Sequence, residues 1–94
     1  MKAWSYCVFR EAVHTLLSFR KSERWQLIVA LDRIRDQPFG PHDEEIQDVS
    51  GRWLYLRSVG PFVITYAEDF PVRRLEILAL RKQRPFRWLF HFTA

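Results

Sequence analysis

The residues of this 94-residue chain best suited to chemistry are arginines set among aromatic side chains. Over Arg52–Val59, strand alternation puts Trp53, Tyr55 and Arg57 on one side and Arg52, Leu54, Leu56 and Ser58 on the other. Further on, Arg73, Leu75, Ile77, Ala79 and Arg81 share one side, and Arg74, Glu76, Leu78, Leu80 and Lys82 share its opposite. Both sides are partly apolar, so alternation leaves open which one meets the rest of the molecule. A guanidinium carries permanent charge and forked donors that match a phosphate, and aromatic rings stack on bases. Such groups can stabilise the charge on a pentacoordinate phosphate without a metal. The plainer reading makes the same residues solubilising side chains on the open face of a sheet.

Other chemistries have little support. His14, His42 and His91 are far apart, and no HxxxH, HxH or CxxC spacing occurs, so no metal site is expected. Three glycines, Gly40, Gly51 and Gly60, cannot form a phosphate-cradling loop, and no cofactor is expected. There is no GxSxG, and a Ser–His–Asp set has no support. Cys7, the only cysteine, excludes an internal disulfide and fits a reducing, cytoplasmic setting. Its strand-like surroundings read it as a small buried hydrophobe. No apolar run approaches the roughly 20 residues of a membrane span, and the N-terminus has no apolar h-region of a secretory signal.

A net charge of +4 favours anionic partners, and its distribution is uneven. Residues 1–36 mix both signs, and Pro41–Asp48 is an acidic island. From Arg73 onward, Arg73, Arg74, Arg81, Lys82, Arg84 and Arg87 face one acid, Glu76.

The length and the 48% hydrophobic content imply one folded domain over residues 1–94, with 84–94 as a basic, aromatic tail. Trp4–Phe9 reads as a strand. Ala12, Val13, Leu16 and Leu17 then fall on one helical face. Ser22 is the expected N-cap of a second helix with Leu27, Ile28, Leu31 and Ile34 in its apolar stripe and Ala30 away from it. This helix must stop before Pro38. Gln37–Glu45 reads as a loop. Three strand candidates follow, Arg52–Val59, Phe62–Glu68 and Val72–Leu80, separated by Gly60-Pro61 and Asp69-Phe70-Pro71. The expected fold is α+β: a small antiparallel β-sheet (the N-terminal strand plus a three-strand meander) packed against an antiparallel helix pair. The tail reads equally as a short helix or an added strand, because Phe86, Trp88, Phe90 and Phe92 alternate.

The order of these elements, with REAVHTLLSF, DRIRDQPF and LYLRSVGPFVITYAEDFPVRRLEILALRKQR, resembles the RelE/ParE superfamily of type II toxins over roughly residues 4 to 84. The resemblance implies a small toxin neutralised by a cognate antitoxin. RelE-like members cut mRNA on the ribosome, whereas ParE-like members inhibit DNA gyrase without a nuclease site. Arg57 matches the arginine of the family's LRxxG element, and Arg81, Lys82 and Arg84 match its terminal basic cluster. Arg57, Arg81 and Lys82 are therefore the candidate phosphate-holding catalytic residues, with Arg84, Arg87 and Trp88 as RNA contacts. Trp88 stands where a catalytic Tyr is often found, and indole cannot serve as that acid or base. His91 is the candidate proton carrier. After Gly60 the RNA-cutting pattern has an arginine, and this chain has Pro61-Phe62. The function the resemblance implies is a ribosome-dependent mRNA endonuclease with a partly degenerate site, with a ParE-like gyrase-inhibiting toxin or an inactive binding module as the alternatives. Arg52 reads as an ordinary solvated charge.

Overall fold

The computed structural model describes residues 3–82. The chain forms β1 (Ser5–Val8), α1 (Arg10–Ser18), α2 (Lys21–Asp36), β2 (Glu44–Gln47), β3 (Trp53–Val59), β4 (Phe62–Asp69) and β5 (Arg74–Lys82). The strands make one sheet in the order β1-β5-β4-β3-β2. The α+β layout and the antiparallel β3-β4-β5 meander are as expected. Two details of the sheet differ. β1 joins β5 in parallel, so the sheet is mixed rather than wholly antiparallel. The acidic stretch expected as loop supplies a fifth strand, β2, antiparallel to β3. All four β2 residues are exposed, so backbone pairing at the sheet edge fixes it without any apolar pattern to announce it.

The helices start and turn slightly differently from their sequence pattern. α2 begins at Lys21, with Arg20 rather than Ser22 as N-cap. The Arg20 backbone N–H donates to the Glu23 carboxylate at 2.9 Å, which satisfies one of the unpaired donors at the helix start. The buried stripe of α2 is Leu27, Ala30, Leu31 and Ile34, the i, i+3, i+4, i+7 set. Ala30 thus faces the core, while Ile28 is 37% exposed. On α1, Ala12 is fully buried and Leu17 is exposed.

Cross-strand partners share a face, so the register assigns every side chain. Tyr55 pairs with Tyr66, Arg57 with Ile64 and Val59 with Phe62. On β5, Ile77 pairs with Tyr66 but Ala79 pairs with Thr65, leaving Leu78 as an extra residue. This bulge reverses the alternation of β5. Leu75, Ile77, Leu80 and Lys82 share the helix-facing side, whereas Glu76, Ala79 and Arg81 share the opposite one. Leu27, Leu31 and Ile34 of α2 pack with Phe62, Ile64, Tyr66, Leu75 and Ile77, all essentially inaccessible. Each such side chain contributes about 1.5–3 kcal/mol relative to exposure, which binds the α2 face to the middle of the sheet. Cys7, on the edge strand, is exposed rather than buried. Among the described residues, no helix is long and apolar enough to cross a membrane.

Candidate functional site: the Arg57 cleft

Arg57 projects from β3 on the helix-facing side and is half-buried. Its Nη1 donates to the Gln37 carbonyl at 3.2 Å, just past the last residue of α2. A cation is favoured there by the helix macrodipole. The same carbonyl accepts the Gly40 N–H at 2.9 Å. A Cβ on Gly40 would lie 3.0 Å from that oxygen and 3.3 Å from both terminal guanidinium nitrogens, so only glycine lets the turn close this tightly on Arg57. The Arg57 guanidinium also lies beside the Tyr66 hydroxyl. Burial pushes the Tyr66 phenol above its ordinary pKa, and the guanidinium opposes that shift.

Beside Arg57 lies a recess of about 180 Å³ bordered by Gly40, His42, Glu45, Tyr55, Tyr66 and Glu68. His42 Nε2 lies 2.6 Å from Glu45 Oε1, and the His42 ring meets Tyr55 edge-on at 4.9 Å. The Tyr55 hydroxyl lies beside the Glu68 carboxyl. Burial raises the Glu68 carboxyl above the usual carboxylate range, opposed by the Tyr55 hydrogen bond and the His42 ring. Its Oε2 is buried without a hydrogen-bond partner among the described residues. The cleft therefore gathers a fixed cation, a carboxyl biased toward its neutral form, two phenols and an imidazole. Of this group the sequence pattern singles out only Arg57 as a candidate. The signal for the rest lay in strand parity, since Tyr55 shares a side with Arg57, but the cross-strand register that adds Tyr66 and Glu68 is a tertiary fact.

The other candidates lie elsewhere. Lys82 Nζ meets Glu23 Oε2 at 2.7 Å and stands 5.5 Å from the Phe19 ring, in the first turn of α2. Glu23 and Gln37 are fourteen residues apart, about 21 Å along a helix, so Arg57 and Lys82 reach toward opposite ends of α2. Arg81 is exposed on the opposite side of the sheet from both. Phe62, at the position where the resemblance leads to the expectation of an arginine, is 1% exposed and stacks on Phe19 with centroids 5.7 Å apart. Arg84, Arg87, Trp88 and His91, and the conformation of the tail, lie outside the described residues. Arg52 is no isolated solvated charge: it pairs with the buried Glu76, which Arg74 also approaches at 3.7 Å. No group of His, Cys, Asp and Glu among the described residues is arranged to hold a metal.

Neither a protein-family model nor a curated protein matches the sequence. Solved structures do match in fold. The archaeal RelE–RelB complex from Pyrococcus horikoshii aligns with 88% of this chain and 97% of its own, with a TM-score of 0.66 and 17% identity. The toxin–antitoxin complex RelBE2 from Mycobacterium tuberculosis aligns with 87% of this chain and 100% of its own, with a TM-score of 0.73 and 11% identity. The isolated E. coli RelE toxin aligns with 97% of this chain and 96% of its own, with a TM-score of 0.65 and 12% identity. The protein is thus an α+β domain with the fold of the RelE toxins.

Proposed function

We propose that this chain is the toxin of a type II toxin–antitoxin pair, acting in the cytoplasm and held inactive by a cognate antitoxin. The observation that carries the reading is the match of nearly the whole chain to RelE toxins, two of them in complexes with antitoxins. Fold likeness does not itself fix activity, so the mode of action is argued from the side chains. Inhibition by binding a protein target, as ParE-like toxins bind DNA gyrase, is favoured by Phe62 in the core and by the separation of Arg57, Lys82 and Arg81. A second reading, metal-independent cleavage of mRNA on the ribosome, is supported by the cleft itself. There Arg57 would hold phosphate beside Glu68, His42 and Tyr66 as proton-transfer groups. In that reading Arg81 and Lys82 would contribute charge, Arg84, Arg87 and Trp88 would hold RNA, and His91 would carry a proton.

Expression from a tightly repressed promoter, in a host without the antitoxin gene, tests the proposal. Growth should stop within a few generations of induction and resume when the acidic product of a neighbouring reading frame is co-expressed. Unaffected growth at a verified level of soluble protein would leave the inactive binding-module reading in its place.

A further inference from the structure

The outward face of α2 carries a stripe unrelated to the core. Trp25, Val29 and Arg33 follow at four-residue intervals, and Trp25 is 68% exposed. Two recesses of about 400 and 370 Å³ lie along this stripe against the β3–β4 turn. They share Arg33, Val59 and Gly60 and form one groove. The turn that makes its far wall is Gly60-Pro61, with φ of +59° at Gly60 followed by the fixed φ of proline, so this wall is stiff. One end of the groove is apolar, with Trp25, Val29 and Pro61; the other is cationic, with Arg33 and Arg57. The acid at the cationic end, Asp43, already accepts the Ser58 N–H at 2.6 Å. Trp25 also borders a recess with Ile28, Lys21 and Arg24, which extends the apolar end and rims it with positive charge. Neither Arg24 nor Arg33 forms an ion pair with a described residue.

We propose that this groove docks a protein segment bearing one large apolar side chain and, about 12 Å further along, a carboxylate. The spacing follows from the eight-residue separation of Trp25 and Arg33 at the helical rise. A tryptophan that forms an exposed wall and an arginine at its far end are the residue types that dominate binding energy at interfaces. Around the groove Lys21, Arg24, Arg33 and Arg57 outnumber the one lining acid, Asp43, which selects against basic segments. The groove borders the candidate site through Arg57, and its test is kept separate from the toxin reading because it reads peptide affinity at Trp25 and Arg33 rather than growth arrest.

The test is selection of a random twelve-residue peptide display library on the intact protein, followed by affinity measurement with synthetic copies of the enriched peptides. Enriched sequences should share a large apolar residue and an Asp or Glu at a spacing near 12 Å, four apart if extended or seven to eight if helical. Trp25→Ala and Arg33→Glu should each weaken binding by roughly tenfold or more, and Ile46→Ala on the distant β2 edge should not. Changing the peptide's acid to Lys should restore binding to Arg33→Glu. Three results would overturn the proposal: no enrichment, enriched peptides that bind both variants as well as wild type, or a groove occupied by something else. The last would appear as a polyuridine oligonucleotide that binds with the same variant losses and displaces the peptides, or as self-association in sedimentation that Trp25→Ala abolishes.

Discussion

At the first turn of α2, Lys82 reaches Glu23 from an exposed position and lies near the Phe19 ring; past its last turn, Arg57 is half-buried and fixed by the Gln37 carbonyl, Gly40 and Tyr66. Both are cations on the helix-facing side of the sheet. Their settings differ in how many partners fix the charge in place. A lysine at the rim is a mobile, hydrated charge, and an exposed pair of this kind contributes little to stability. A guanidinium held by a carbonyl and a phenol is pre-oriented, and pre-orientation is what recognition or catalysis requires of a charge. Function at these two ends, if it uses a fixed cation, belongs with Arg57.

The largest expected effect tests what lies at the Lys82 end. The substitution Phe62→Arg places a charge in the stack with Phe19, and should cost more than about 3 kcal/mol in urea denaturation. A variant as stable as wild type would mean that this end of α2 tolerates a functional cation and that the contrast is wrong. Arg57→Ala comes next. It removes the donor to Gln37 and the partner of the Tyr66 hydroxyl, for a loss of about 2 kcal/mol by the same assay.

Glu68→Gln is a pH experiment on the cleft. Burial raises the Glu68 carboxyl, so the folded state is favoured while that carboxyl is protonated and loses stability as pH rises through its folded-state pKa. The uncharged variant should therefore melt higher than wild type at neutral pH, by less than about 1 kcal/mol, because its amide oxygen still accepts from Tyr55. The two melting curves should converge as pH falls below the ordinary carboxylate range. A difference that persists in acid would assign the effect to packing. Lys82→Ala should cost under about 0.5 kcal/mol. The smallest effect is the coupling between Arg57→Ala and Lys82→Ala, expected within about 0.5 kcal/mol of zero for sites this far apart.

Much of the frame was legible in the sequence because its signals are local. Pro38 ends α2, Gly60-Pro61 turns β3 into β4, and the apolar runs of β4 and β5 mark the central strands. What escaped depends on pairing. β2 is four exposed residues, Glu44–Gln47, with no apolar alternation to betray a strand. The extra Leu78 in β5 shifts alternation by one, which sends Arg81 away from Leu75 and Ile77 and brings Lys82 to α2. No pattern in β5 itself announces that bulge. The Arg52–Glu76 pair joins residues 24 apart, and the Arg57 cleft draws on the Gln37–Glu45 turn region, β3 and β4 at once. Arg57 was found from a local motif; Tyr66, Glu68 and His42 became its neighbours only through register and the turn after α2.

The proposal that the chain is a toxin acting by binding a protein rather than by cutting RNA is tested most directly by mapping mRNA 5′ ends during induced growth arrest. Arrest is expected with the 5′ ends unchanged from those of uninduced cells. New ends within coding sequences, appearing with wild type and lost with Arg57→Ala, would contradict it and assign the cleft a nuclease role.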